Sequence, residues 1–171
     1  DWFTRAESYL GAKIKPEFYL ELKIDGFAIE LTYENGVLVQ GSTRGDGSVG
    51  EDVTENLKTV EAIPLNLKHA SKIAIPKKLI VRGEVFISKE EFARANKAQE
   101  KKSEKPYANP RNLAAGSIRQ LDPKVAASRK LDSFIYSLVT NMGQKTHADE
   151  HVLLAKMGFK TDNRHHQLDR S

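Results

Sequence analysis

Lys23 stands between two acids in the run Glu21-Leu22-Lys23-Ile24-Asp25-Gly26. A lysine amine attacks phosphorus or a carbonyl carbon only when neutral, so nucleophilic work requires desolvation or nearby cations to lower its pKa. Glu21 and Asp25 act the other way and favour the ammonium form. If Lys23 transfers a phosphoryl group, a metal ion or further lysines must release its proton and neutralise the phosphate. Taken alone, the same run also reads as a solvated strand face with alternating charges, closed by an ordinary Asp-Gly turn.

Other groups along the chain could join it. Thr43-Arg44-Gly45-Asp46-Gly47 and Gly50-Glu51-Asp52-Val53-Thr54 form a loop rich in glycine and acid, and Arg82-Gly83-Glu84-Val85 sits in an apolar run. Gly45 to Gly50 also spells a dinucleotide-binding fingerprint. A Rossmann reading is rejected, because the motif follows a hairpin, not the first strand of a βαβ unit, and Glu51-Asp52 would oppose phosphates. Arg111 and Arg119 are eight residues apart, within roughly 80° of each other around a helix. They read either as solvated or carboxylate-paired arginines, or as a phosphate-binding pair. His147 and His151 have the spacing of two zinc ligands, but no third ligand completes a motif. They are read as surface histidines without a metal, and His165-His166 as uninformative.

The elements that position these groups follow from periodicity. Trp2, Ala6, Tyr9 and Leu10 predict a short amphipathic helix. From Phe18 the period is two, predicting a strand that places Glu21, Lys23 and Asp25 on one face and Leu20, Leu22 and Ile24 on an apolar other. Asn35-Gly36 between Phe27–Tyr33 and Val37–Gln40 predicts a tight hairpin. A short helix is expected over 53–60, then a lysine-rich surface excursion to Pro76. Leu79 to Ile87 reads as a strand with Ile80, Arg82, Glu84 and Phe86 on one face. Ser88 with Glu91 caps a helix to about Glu100, and Asn109-Pro110 opens another through Arg119. Phe134 to Val139 reads as a buried strand, and Thr146 caps a last helix that Gly158 stops. Hairpins with separated helices predict an α+β fold with an antiparallel or mixed sheet and flanking helices.

The chain has 171 residues, 39% of them hydrophobic and 29% charged, enough for one domain with its own core. No apolar run approaches the ~20 residues that span a bilayer, so no membrane partner is expected. Zero cysteines exclude disulfides and thiolate metal sites, and a net charge of +4 mildly favours a polyanionic partner. Lys72, Lys77, Lys78 and the 101–105 cluster read as solubilising charge.

Lys23-Ile24-Asp25-Gly26 matches the K-x-D-G motif of the covalent nucleotidyltransferases, which include DNA ligases, RNA ligases and capping enzymes. With the glycine-acid loop, Arg82-Gly83-Glu84-Val85 and Ala108-Asn109-Pro110-Arg111-Asn112-Leu113-Ala114-Ala115-Gly116-Ser117, the order and spacing resemble the adenylation domain of bacterial NAD-dependent DNA ligases. The resemblance covers Asp1 to about Phe159. It implies a nucleotidyltransferase core, ATP-grasp-like and incomplete at the carboxy end, with 1–171 one partial adenylation domain and no second domain. It assigns Lys23 as the nucleophile that attacks the α-phosphate of NAD. Glu21 then reads the adenine amino group, Arg44 contacts the nucleotide, and Glu84 holds the ribose hydroxyls. Asp25 assists metal placement or lysine orientation, and Arg111 and Arg119 contact phosphates around a DNA nick. It further implies Mg²⁺ or Mn²⁺, NAD and nicked duplex DNA as partners, a monomer, a cytoplasmic and nucleoid-associated protein, and roles in replication and in repair of damaged DNA.

Against the family pattern, the chain ends at Ser171, before two lysine-bearing motifs. It also lacks the module for the nicotinamide half of NAD, the oligonucleotide-binding fold, the zinc element, the helix-hairpin-helix repeats and the BRCT module. Two readings follow. In one the chain is a piece of a full ligase; in the other it is a free-standing, catalytically weak adenine-nucleotide or DNA-binding module. A Schiff-base aldolase is a third reading, disfavoured by the antiparallel pattern. On the first reading, the isolated chain is expected to take AMP from NAD poorly.

Overall fold

The protein is described from a computed structural model that covers residues 2–14, 18–45, 50–67, 73–162 and 167–168. Asp46 to Val49, the lysine-rich stretch 68–72 and His165-His166 lie outside the described residues. The chain divides into two compact units, residues 1–22 with 164–171 and residues 23–163.

The first unit holds helix α1 (Trp2–Leu10) and strand β1 (Phe18–Tyr19), which pairs antiparallel with Gln167–Leu168, the last strand β6. The helix forms where its spacing predicts, yet buries none of its residues, and Phe3 meets Phe18 edge-to-face at 5.6 Å. The strand expected to run through Asp25 stops at Tyr19. Period two makes a strand only where a neighbour accepts the backbone hydrogen bonds. Residues 20–26 join no ladder, and Leu20 and Leu22 of the supposed apolar face are exposed.

The second unit is built on a four-stranded antiparallel sheet in the order β3-β2-β4-β5: β2 (Phe27–Glu34), β3 (Val37–Thr43), β4 (Lys78–Phe86) and β5 (Asp132–Leu138). Asn35 and Gly36 turn β2 into β3 with φ of 50° and 83°, the left-handed pair that a two-residue hairpin requires. This antiparallel continuation of the chain into the glycine-acid loop excludes the Rossmann reading. Ile29, Leu31 and Tyr33 of β2 share the core face with Leu79, Val81 and Val85 of β4 and Ile135 of β5. Each such side chain contributes roughly 1.5–3 kcal/mol of burial.

Helices cover that face. They are α2 (Thr54–Leu57), α3 (Lys89–Lys101), α4 (Pro110–Ile118), α5 (Pro123–Ala127) and α6 (His147–Lys156). Ser88, Asn109 and Thr146 cap α3, α4 and α6 as their positions predict, Thr146 in a full capping box with Asp149. Gly158 at φ 91° follows the end of α6. Two further expectations fail. The stretch after Ile63 is not purely a surface excursion, since Leu67 is fully buried and Tyr33 donates its hydroxyl to Pro64 O at 2.8 Å. His151 is not a surface residue; it is buried on the same face of α6 as Leu154, while His147 is half-buried, its ring 4.8 Å from that of His151. Among the described residues no helix is long and apolar enough to cross a membrane.

Candidate active site

The side of the sheet away from the core carries the chemistry. Along β4 the open-face residues are Ile80, Arg82, Glu84 and Phe86, as the alternation predicts. Glu84 stands opposite Ala28, and Arg82 opposite Glu30, to which it donates from Nε at 2.8 Å. Two glycines set this geometry. A Cβ on Gly26 would lie 2.3 Å from Val85 O and 2.8 Å from Glu84 Cγ. A Cβ on Gly83 would lie 2.5 Å from Phe134 O, beside the irregularity in the β4–β5 ladder. Glycine at position 26 is thus required by the close approach of the motif to β4.

That approach brings the motif to Glu84. Glu84 as a residue is only 7% exposed, with Phe134 as cross-strand neighbour and Phe86 two residues on, their rings stacked 5.3 Å apart. Burial pushes its pKa up, and Lys23, the Gly26 N–H and Arg111 oppose that rise by favouring the carboxylate. Asp25 adds a smaller repulsion. Lys23 itself is exposed, its Nζ donating to Ile24 O at 3.3 Å. Asp25 pairs with Arg111 at 3.4 Å, so the first residue of helix α4 after its proline faces the motif. Lys23, Asp25, Glu84 and Arg111 therefore form one electrostatic group.

Next to it is a cleft of about 250 Å³, lined by Glu30, Thr43, Arg44, Arg82 and Tyr136 among others. Arg44 is exposed at its rim, and its backbone N–H donates to Ala28 O at 3.2 Å, tying the end of β3 to the residue opposite Glu84. Arg119, the C-cap of α4, donates from Nε to Glu51 at 2.9 Å and lies 4.9 Å over the Phe27 ring. Arg111 and Arg119 are thus both carboxylate-paired and more than half exposed. Glu21 belongs to the first unit and is exposed.

The glycine-acid motif resolves into separate tasks. Asp52 accepts from the Thr54 hydroxyl at 2.6 Å and its N–H at 2.9 Å, bonds that lower the Asp52 pKa. The Thr54 hydroxyl oxygen in turn accepts from Gly41 N–H at 2.8 Å, fastening α2 to β3. Sequence reasoning left Tyr136, Arg82, Glu51 and Glu30 without roles. Tyr136 could have been found from the two-residue alternation of β5, which places it with Phe134 on the open face.

A consequence is testable by substitution. Gly26→Ala is expected either to push β2 from β4 or to swing Glu84 away, lowering stability by about 3 kcal/mol, the scale of a core overpacking. Thermal unfolding of wild type and variant checks it, and an unchanged Tm would contradict the close approach.

The chain matches the family described as the NAD-dependent DNA ligase adenylation domain over residues 1–171. Among curated relatives it is similar to proteins named DNA ligase. It is 53% identical to that of Acetivibrio thermocellus over 147 residues, covering 85% of this chain and 21% of the relative. It is 52% identical to that of Bacillus licheniformis, covering 86% and 21%. The match to the Clostridioides difficile protein is 47% identical, covering 93% and 23%. The chain thus spans between a fifth and a quarter of the length of these relatives.

Proposed function

The chain belongs to the NAD-dependent DNA ligase adenylation-domain family, and from that premise we propose that Lys23 carries AMP from NAD to the 5′-phosphate of nicked duplex DNA. The observation that supports this reading best is the grouping of Lys23, Asp25, Glu84 and Arg111 where Gly26 packs on β4.

In this reading neutral Lys23 Nζ attacks the α-phosphorus of NAD. A P–N bond forms, the P–O bond to nicotinamide mononucleotide breaks, and the amine proton leaves. The AMP then passes to the 5′-phosphate, returning the lysine, and a 3′-hydroxyl displaces AMP to close the strand. Glu84 accepts from the ribose hydroxyls, and Lys23, the Gly26 N–H and Arg111 favour its carboxylate form against the effect of its burial. Arg44 and Tyr136 suit the nucleotide by their chemistry, a guanidinium fork at the cleft rim and an aromatic wall for a base. Glu21 reads the adenine amino group, and Arg111 and Arg119 meet DNA phosphates. Asp25 offers exposed carboxylate oxygens beside Lys23, a donor that fits Mg²⁺ or Mn²⁺, which take one or two carboxylates with substrate phosphates. When bound, such an ion neutralises charge on the phosphates. The activity serves replication and repair in the cytoplasm, where duplex nicks arise.

Donor choice tests the proposal. The full-length protein, incubated with NAD or with ATP and a divalent ion, is expected to gain the mass of one AMP from NAD alone. An adduct from ATP and none from NAD would overturn it.

A further inference from the structure

Arg119 is held from three separate segments. The Phe27 ring lies under its guanidinium, and Glu51 takes its Nε donor. Its backbone is fixed by Asn56, a buried side chain in α2. Asn56 Nδ2 donates to Ile118 O at 2.9 Å and to Gln120 O at 2.8 Å, the carbonyls on either side of Arg119. Those carbonyls lie at the end of α4, where the helix provides no N–H partners of its own, so Asn56 closes the helix end from another element. Thr54, two residues earlier, anchors the same turn to β3. Asn56 and Arg119 thus share one rigid connection to the sheet.

The outcome is an arginine with a fixed root and a side chain that is 54% exposed. An exposed ion pair of this kind contributes little to stability. Fixing the guanidinium in advance does reduce the ordering cost of a binding event, and its planar fork fits a phosphodiester. We propose that Asn56 is a positioning residue, which with Phe27 and Glu51 presents Arg119 to a backbone phosphate of the nicked duplex. This rests on the DNA reading given above.

The test uses the full-length protein with a nicked duplex at several salt concentrations, alongside AMP loading from NAD followed by intact mass. Arg119→Ala is expected to weaken nick binding about tenfold near 0.1 M salt and to flatten the salt dependence by about one unit of slope. Asn56→Ala is expected to reproduce at least half of the logarithmic loss and to flatten the slope similarly, with AMP loading within twofold of wild type. In the Arg119→Ala background it should cost nothing further for binding, the coupling expected of residues that act as one. Phe27→Leu, which keeps apolar bulk but removes the ring, carries the same expectation and serves where Asn56→Ala fails to fold. Wild-type binding in both variants, with Arg119→Ala weakened, would overturn the positioning role alone. An equal loss with or without Arg119 would overturn it too. Unchanged binding in Arg119→Ala would overturn the DNA reading of that residue and the positioning role with it.

Discussion

Lys23→Ala is expected to abolish AMP loading from NAD and to reduce sealing of ordinary nicks by at least ~10³-fold in the full-length protein, the scale of losing a covalent nucleophile. The same variant should still seal a nick whose 5′-phosphate already carries AMP, within about tenfold of wild type. In the proposed reaction the lysine takes AMP from NAD, and a preformed adduct bypasses that step. Parallel assays on ordinary and preadenylated nicks check both halves. Equal losses on the two substrates would make Lys23 a binding residue and not a nucleophile. The surroundings of Lys23 sharpen the point. Asp25 stands two residues on and Glu84 lies within electrostatic reach, so two acids lie close to the amine. In the proposed reaction, cations that offset these acids and the phosphate would assist the attack.

Glu84→Gln is expected to raise stability while damaging the reaction. The sign follows from burial. In the folded protein the Glu84 pKa lies above its ordinary value of 4.5, so folding favours the protonated form. Its stabilising contribution is complete below pH 4.5 and is lost as pH rises through the folded-state value. Glutamine matches the protonated shape and still accepts from the Gly26 N–H, so it escapes that loss. The Tm of the variant should exceed that of wild type at pH 7 to 8, and the difference should shrink towards pH 4. AMP loading should fall by about 10²-fold, since a charged acceptor for hydroxyl donors becomes a neutral one. A variant less stable than wild type at neutral pH would show that Lys23 and Arg111 outweigh desolvation at Glu84.

What could be read from the sequence was mostly local. Asn35-Gly36, Ser88, Asn109-Pro110 and Thr146 act within a few residues, and each turn or cap forms where its residue type requires. The alternation that places Arg82 with Glu84 is equally local. Features that depend on distant partners were not legible. The partner of β1 comes from residues 167–168, so the periodicity of 18–25 gave no sign that its ladder ends at Tyr19. His151 and Leu67 are buried by elements that meet only in the folded chain. Helix α5 has its Asp122 cap and N1 proline, but at five residues it offers too little periodicity to be seen. In the site, Lys23 and Glu84 were named from motifs. The Arg119–Glu51 pair, 68 residues apart, and the Asn56 bonds, 62 and 64 residues apart, needed the fold.

The most direct measurement of the central claim is peptide mapping by mass spectrometry of the full-length protein after incubation with NAD and a divalent ion. The account predicts one AMP per chain, on the peptide containing Lys23 and on that side chain. AMP on any other lysine, with Lys23 unmodified, would contradict it.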